Sequence, residues 1–164
     1  MTGAVVIDAN LLVLLVVGTS SRGDIAKHKR LRGYTADDFD VLCTLVAQFS
    51  EIVLIPHTLA EASNLARQIA DPARARIQGA LRRLISTVPE LPIPSVYGAH
   101  REEFDALGLT DAVLLHLCAM QLHGVSPTLI TADRDLADRA SSLGYSFIDY
   151  KQEFQSREPR LEGA

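Results

Sequence analysis

Val5-Val6-Ile7-Asp8-Ala9-Asn10, followed at once by the apolar run Leu11–Val17, decides how this chain is read. Three β-branched residues in succession predict a short strand buried on both faces. An aspartate closes it. The apolar run beyond is a helix or a strand extension, which periodicity alone does not separate. Working outward, the same unit recurs. Ile52–Ile55 predicts a second buried strand, stopped by Pro56, and residues 128–131 and 145–148 predict a third and a fourth. Helical patterns lie between them. Thr35 opens a helix bearing Phe39, Leu42, Leu45, Val46 and Phe49, with Asp38 at capping-box spacing. Thr58 and Glu61 begin another running to about Ile69, and Asp71-Pro72 a third running to about Ile85. Residues 110–122 predict a strongly apolar helix, and residues 133–143 a helix ended by Gly144. Residues 18–34 read as a basic loop and 87–98 as an irregular connection. Strands that are apolar throughout and alternate with helices require a parallel sheet covered on both faces. The expected fold is α/β: a three-layer α/β/α sandwich with a central, mostly parallel sheet.

The chain has 164 residues, 48% of them apolar, which suits one domain. We place it at residues 1–150, with 151–164 as a polar tail. Lys and Arg number 16 against 20 Asp and Glu, a formal charge of −4, which excludes a basic coat over the whole surface. The charge is uneven: residues 1–83 carry an excess of basic side chains and residues 84–164 an excess of acidic ones, so a local basic surface remains open. Cys43 and Cys118 sit in apolar, helix-like stretches and predict two buried thiols rather than a disulfide framework. Leu11–Val17 is far too short to span a bilayer, and no basic leader precedes it. The expectation is a soluble, cytoplasmic protein with no membrane partner.

In a parallel sheet, ligands gather at the carboxyl ends of the strands. Asp8 ends the first strand, with Asn10 two residues on. Thr131 and Asp133 stand in the same relation to the third strand, with Asp135 behind them. Glu61 follows the second strand, and Asp111 opens the apolar helix that leads to the third. Gathered carboxylates raise one another's pKa, and a divalent cation removes that cost. Oxygen donors without His or Cys at zinc spacing point to Mg²⁺ or Mn²⁺, and the five histidines form no HxxxH or HExxH pattern. Such a centre suits metal-assisted phosphodiester hydrolysis. Each acid also has a structural reading. Thr58-x-x-Glu61 is capping-box spacing, Asp111 and Asp133 suit helix N-termini, Asp135 suits a solvated helix face, and Asn10 suits a turn. Asp8 resists one, because an enclosed carboxylate needs a partner and no Arg or Lys lies near it in sequence.

Val-Ile-Asp8-Ala-Asn10, Leu-Ala-Glu61-Ala-Ser-Asn, Leu-Thr-Asp111-Ala and Ile-Thr131-Ala-Asp133-Arg-Asp135-Leu resemble the ordered acidic motifs of PIN-domain nucleases. The likeness covers about residues 4–149. It implies that Asp8, Glu61, Asp111 and Asp133 are catalytic and hold Mg²⁺ or Mn²⁺, with Asn10, Thr131 and Asp135 supporting them. It further implies an endoribonuclease acting on an RNA substrate, with many members being toxins of toxin–antitoxin pairs. A homodimer and a small antitoxin protein are the partners such a toxin would have.

Two groups of cations offer phosphate contacts beside an acidic centre: Arg22, Lys27, Lys29, Arg30 and Arg32 in the basic loop, and Arg67 with the arginines after Glu61. A solvated face is the plainer reading of the same residues. Two rival functions stay open. A haloacid-dehalogenase-like phosphatase would use Asp8 as nucleophile, yet that pattern wants a second Asp where this chain has Asn10. A PIN-like scaffold would bind RNA or protein without cutting.

Overall fold

The computed structural model describes residues 3–157. Four strands, β1 (Ala4–Ile7), β2 (Glu51–Ile52), β3 (Thr128–Thr131) and β4 (Phe147–Asp149), form one sheet in the order β2-β1-β3-β4, and every pair in it is parallel. The helices are α1 (Ala9–Ser20), α2 (Ala36–Val46), α3 (Pro56–Ala66), α4 (Ala73–Thr87), α5 (Val96–Ala99), α6 (Phe104–Leu107), α7 (Leu109–Ala119), α8 (Arg134–Ser142) and α9 (Tyr150–Arg157).

The period-two geometry of β1 splits the core in two. Val5 and Ile7 face one cluster, built with α1, α2, α3 and α4 and closed by Tyr150; Ala4 and Val6 face the other, built chiefly with α7 and α8. Helices therefore cover both faces of the sheet, as a run of apolar parallel strands demands. No described helix is long and apolar enough to cross a membrane.

Several sequence expectations need correction. The second strand is not Ile52–Ile55. The ladder with β1 ends after Ile52, and Leu54 instead pairs with Glu90 while its carbonyl accepts from Leu91 N–H at 2.7 Å. Residues 18–34 are not one loop: α1 runs to Ser20, and short 3₁₀ turns occupy Arg22–Lys27 and Lys29–Leu31. The polar tail is ordered as α9 up to Arg157, anchored by fully buried Tyr150; residues 158–164 lie outside the described residues. The capping box at Thr35 forms with both arms, Thr35 N–H donating to Asp38 Oδ2 at 2.7 Å and Asp38 N–H to Thr35 Oγ1 at 3.3 Å. Cys43 is only half-buried, whereas Cys118 is buried, and both thiols are free.

The strand order places a reversal beside β1. The chain crosses from β1 to β2 on one side, then returns to lay β3 on the other. The crevice at the carboxyl ends of β1 and β3 is the topological switch point where such sheets bind ligands.

Candidate active site

Asp8 stands in that crevice. It caps the N-terminus of α1, and its side chain is 4% exposed. Its partners are hydrogen bonds rather than a cation. Oδ1 accepts from Leu11 N–H at 2.8 Å, and Oδ2 accepts from the Thr131 hydroxyl at 2.5 Å and from Ala132 N–H at 2.9 Å. Thr131, itself fully buried, also accepts from Asp133 N–H at 3.0 Å, so one hydroxyl, 123 residues from Asp8 along the chain, joins two acids. Burial pushes the Asp8 pKa up; the hydrogen bonds from Thr131, Leu11 and Ala132 oppose the rise, and the charge of Asp133 adds to it.

Asp133 caps α8, with Oδ1 accepting from Leu136 N–H at 3.0 Å, and its carboxylate reaches solvent. Asp111 lies in the first turn of α7, half-buried. Burial, followed by the negative charges of Asp133, Asp8 and Glu61, raises its pKa to about 7. Glu61 lies one turn and a half into α3 and is exposed. The Thr58–Glu61 capping box does not form, because Pro56 takes the first turn of α3 and carries Thr58 inside the helix. Thr58 is buried there, and its hydroxyl has no partner.

The carboxylates at the ends of β1 and β3 and on α3 are thus near enough for their charge to act on Asp111 of α7, and Asp133 acts on Asp8 as well. Among the described residues, none of the four forms an ion pair, and neither Glu61 nor Asp111 makes a side-chain hydrogen bond. Their oxygen-only donor set and uncompensated repulsion fit a hard divalent ion. No three described His, Cys, Asp or Glu side chains are gathered as a metal-holding group.

A groove of about 390 Å³ runs from Asp133 past Asn10 to Arg30, Tyr34, Arg134 and Lys151. Asn10 is exposed on the first turn of α1, and Asp135 lines the same groove from α8. The basic residues named from sequence separate here. Arg22 pairs with Asp40 and Lys27 approaches Asp24 at 3.9 Å, so both are engaged within the fold. Lys29 borders a different groove, with Asp71 and Arg76. Arg32 borders a third, with Asp37 and Phe154, and Arg67 is exposed at the end of α3. Of that group only Arg30 lines the acidic groove.

Tyr34, Arg134 and Lys151 were not singled out as site residues by pattern. Tyr34 is half-buried, and burial with the charges of Asp8 and Asp38 pushes its phenol up to about 12. The available signal was positional: Arg134 follows Asp133 directly, and Lys151 lies just beyond the fourth strand. Comparisons of the chain with protein-family models, with curated proteins and with solved structures return no match.

Proposed function

We propose that this chain is a Mg²⁺- or Mn²⁺-dependent endoribonuclease of PIN-like architecture. The observation that carries the reading is the gathering of three acids from separate elements around Asp111, whose pKa burial first, and then the charges of Asp133, Asp8 and Glu61, raise to about 7. A metal ion, when bound, supplies a water of lowered pKa and offsets charge building on the phosphoryl oxygens. Asp8, Asp111, Asp133 and Glu61 would hold it. Thr131 and Ala132 fix the carboxylate plane of Asp8, so that acid enters the site in one orientation. Asp133, with one oxygen spent on capping α8, keeps the other for the groove. Asp111, raised to about 7 by burial and its acidic neighbours, is the acid best suited to hold or release a proton near neutrality.

A short unstructured RNA incubated with Mn²⁺ tests this. Wild type should cleave it, EDTA should abolish cleavage, and Asp8→Asn and Asp111→Asn should each lose at least about 100-fold, the scale of removing a metal ligand or its support. Equal residual cleavage in all three proteins would refute the proposal. That no three described His, Cys, Asp or Glu side chains form a metal-holding group favours one second reading, a scaffold that binds RNA without cutting it. That reading predicts RNA retention with no metal-dependent product. A toxin role, with a homodimer and a small antitoxin as partners, belongs to the proposal through the resemblance of the motifs. A short open reading frame beside this one, encoding a protein that co-purifies with it and blocks cleavage, is its test.

A further inference from the structure

We infer that Arg30, Arg134 and Lys151 form a seat for the backbone phosphates of single-stranded RNA alongside the acidic centre. This rests on the nuclease reading and adds the means by which substrate is held. The three cations come from three elements: a 3₁₀ turn after α1, the first turn of α8 and the first turn of α9. All three are exposed, and all line the groove that Asp133 shares. None forms an ion pair within the described residues, although Asp133 and Asp135 line that groove too. Outside the groove the arginines divide: Arg22 pairs with Asp40, Arg74 with Asp71, Arg76 with Asp24, and Arg101 and Arg139 with Glu103, whereas Arg32, Arg67, Arg82 and Arg83 form no ion pair among the described residues. Acids and free cations therefore sit side by side in one groove without neutralising each other.

A repeating phosphodiester chain matches that arrangement. One phosphate would lie beside Asp133 while its neighbours along the chain face the cations, whereas a lone anion would need no such spread of charge. The placement of Lys151 is also built. Tyr150 is fully buried and its hydroxyl donates to Asp38 O and Asp38 Oδ1, each at 2.9 Å, which pins the start of α9 against α2. The Tyr34 ring lies tilted against Tyr150, ring centroids 6.3 Å apart, and lines the same groove as the cations. The fold thus commits a buried tyrosine to holding one cation and one aromatic beside the acids.

The test is binding of a fluorescein-labelled, mixed-sequence 12-nucleotide RNA, measured by anisotropy against salt in Mg²⁺. Asp111→Asn serves as the non-cleaving parent. Adding Arg30→Gln or Lys151→Gln should weaken binding several-fold at low salt and lower the slope of log affinity against log salt by about 0.7 each, as expected for one lost single-strand phosphate contact. Arg22→Gln, whose side chain already has an acidic partner, should leave the slope unchanged. The three sites are exposed, and matching circular-dichroism melts verify that each variant is folded. A slope unaltered by Arg30→Gln and Lys151→Gln overturns the seat, as does an equal loss in Arg22→Gln, which marks a diffuse attraction. Cleavage by wild type is scored separately. Cleavage with unaltered slopes sinks the seat alone, whereas neither cleavage nor binding sinks both it and the nuclease reading.

Discussion

Asp111→Asn should stabilise the metal-free protein at pH 8 and leave it unchanged at pH 4. The folded-state pKa of Asp111 is raised from 3.8 to about 7. The folded protein therefore holds this proton more tightly than the unfolded chain does. Stability attributable to the group is highest below about pH 4, falls as pH climbs through the window between those two values, and is lowest above pH 7. A shift of about three units corresponds to a ceiling of roughly 4 kcal/mol. Asp111 keeps some contact with water, which screens its neighbours' charge, so about 1–2 kcal/mol is the expected cost. Asparagine keeps the shape and removes the charge. In urea with EDTA, an m-value of about 1–3 kcal/mol/M turns that gain into a midpoint rise of roughly 0.5–1 M at pH 8. Saturating Mn²⁺ should then reverse the ranking, because ligand binding to the folded state stabilises only the protein able to hold the ion. An asparagine variant no more stable than wild type at pH 8, or equally stabilised at every pH, would show that burial and the neighbouring acids do not together raise Asp111. The reading of the site would fall with that result.

Two further perturbations probe the frame around the site. Gly18→Ala should destabilise the fold: the new Cβ would lie 2.2 Å from Phe39 Cδ2, where α1 meets α2. Overpacking of that kind costs about 1–3 kcal/mol, more than the roughly 1 kcal/mol that alanine gains over glycine in a helix, and a raised melting temperature would contradict the close approach. Thr131→Val removes the hydroxyl that donates to Asp8 and accepts from Asp133 N–H, for a loss of about 1–3 kcal/mol by urea unfolding, while Thr131→Ser should recover most of it. Equal stability in the valine and serine variants would mean that the hydroxyl bridge does not form.

The acids were legible because each marks an element end. Asp8 follows an unbroken β-branched run, and β3 spans the same Thr128–Thr131 that its composition picks out. The elements that resisted reading carried competing signals. Ile52–Ile55 is apolar throughout, but apolarity says only that the segment is enclosed; it leaves β1 after Ile52 to meet Glu90 and Leu91, a partner 36 residues away that periodicity does not reveal. At α3, two start signals compete, and the proline ring outranks the capping pair because its fixed φ suits the first turn. α9 is polar by composition, and a single buried Tyr150 with half-buried Phe154 packs it down. The sorting of cations into paired and free was mostly hidden. Asp24 and Lys27 stand three residues apart, but Asp40 reaches Arg22 and Asp24 reaches Arg76 across the fold, and sequence spacing records neither meeting.

Glu103 is buried between two guanidinium groups, Arg101 Nε and Arg139 Nε, each at 2.9 Å. Burial alone would raise its pKa, yet the hydrogen bonds from Arg101 and Arg139 carry it below the usual carboxylate range. Arg139 lies on the helix that Asp133 caps, so this clasp ties the segment before α6 to the helix behind the acids. Losing the glutamate removes the partner that the two guanidiniums share, although Arg139 keeps Glu102 and Arg101 keeps Tyr145; losing either arginine strips part of the shield from an enclosed anion. The glutamate is the hinge of the trio, so lineages sharing this fold should hold it more tightly than either arginine.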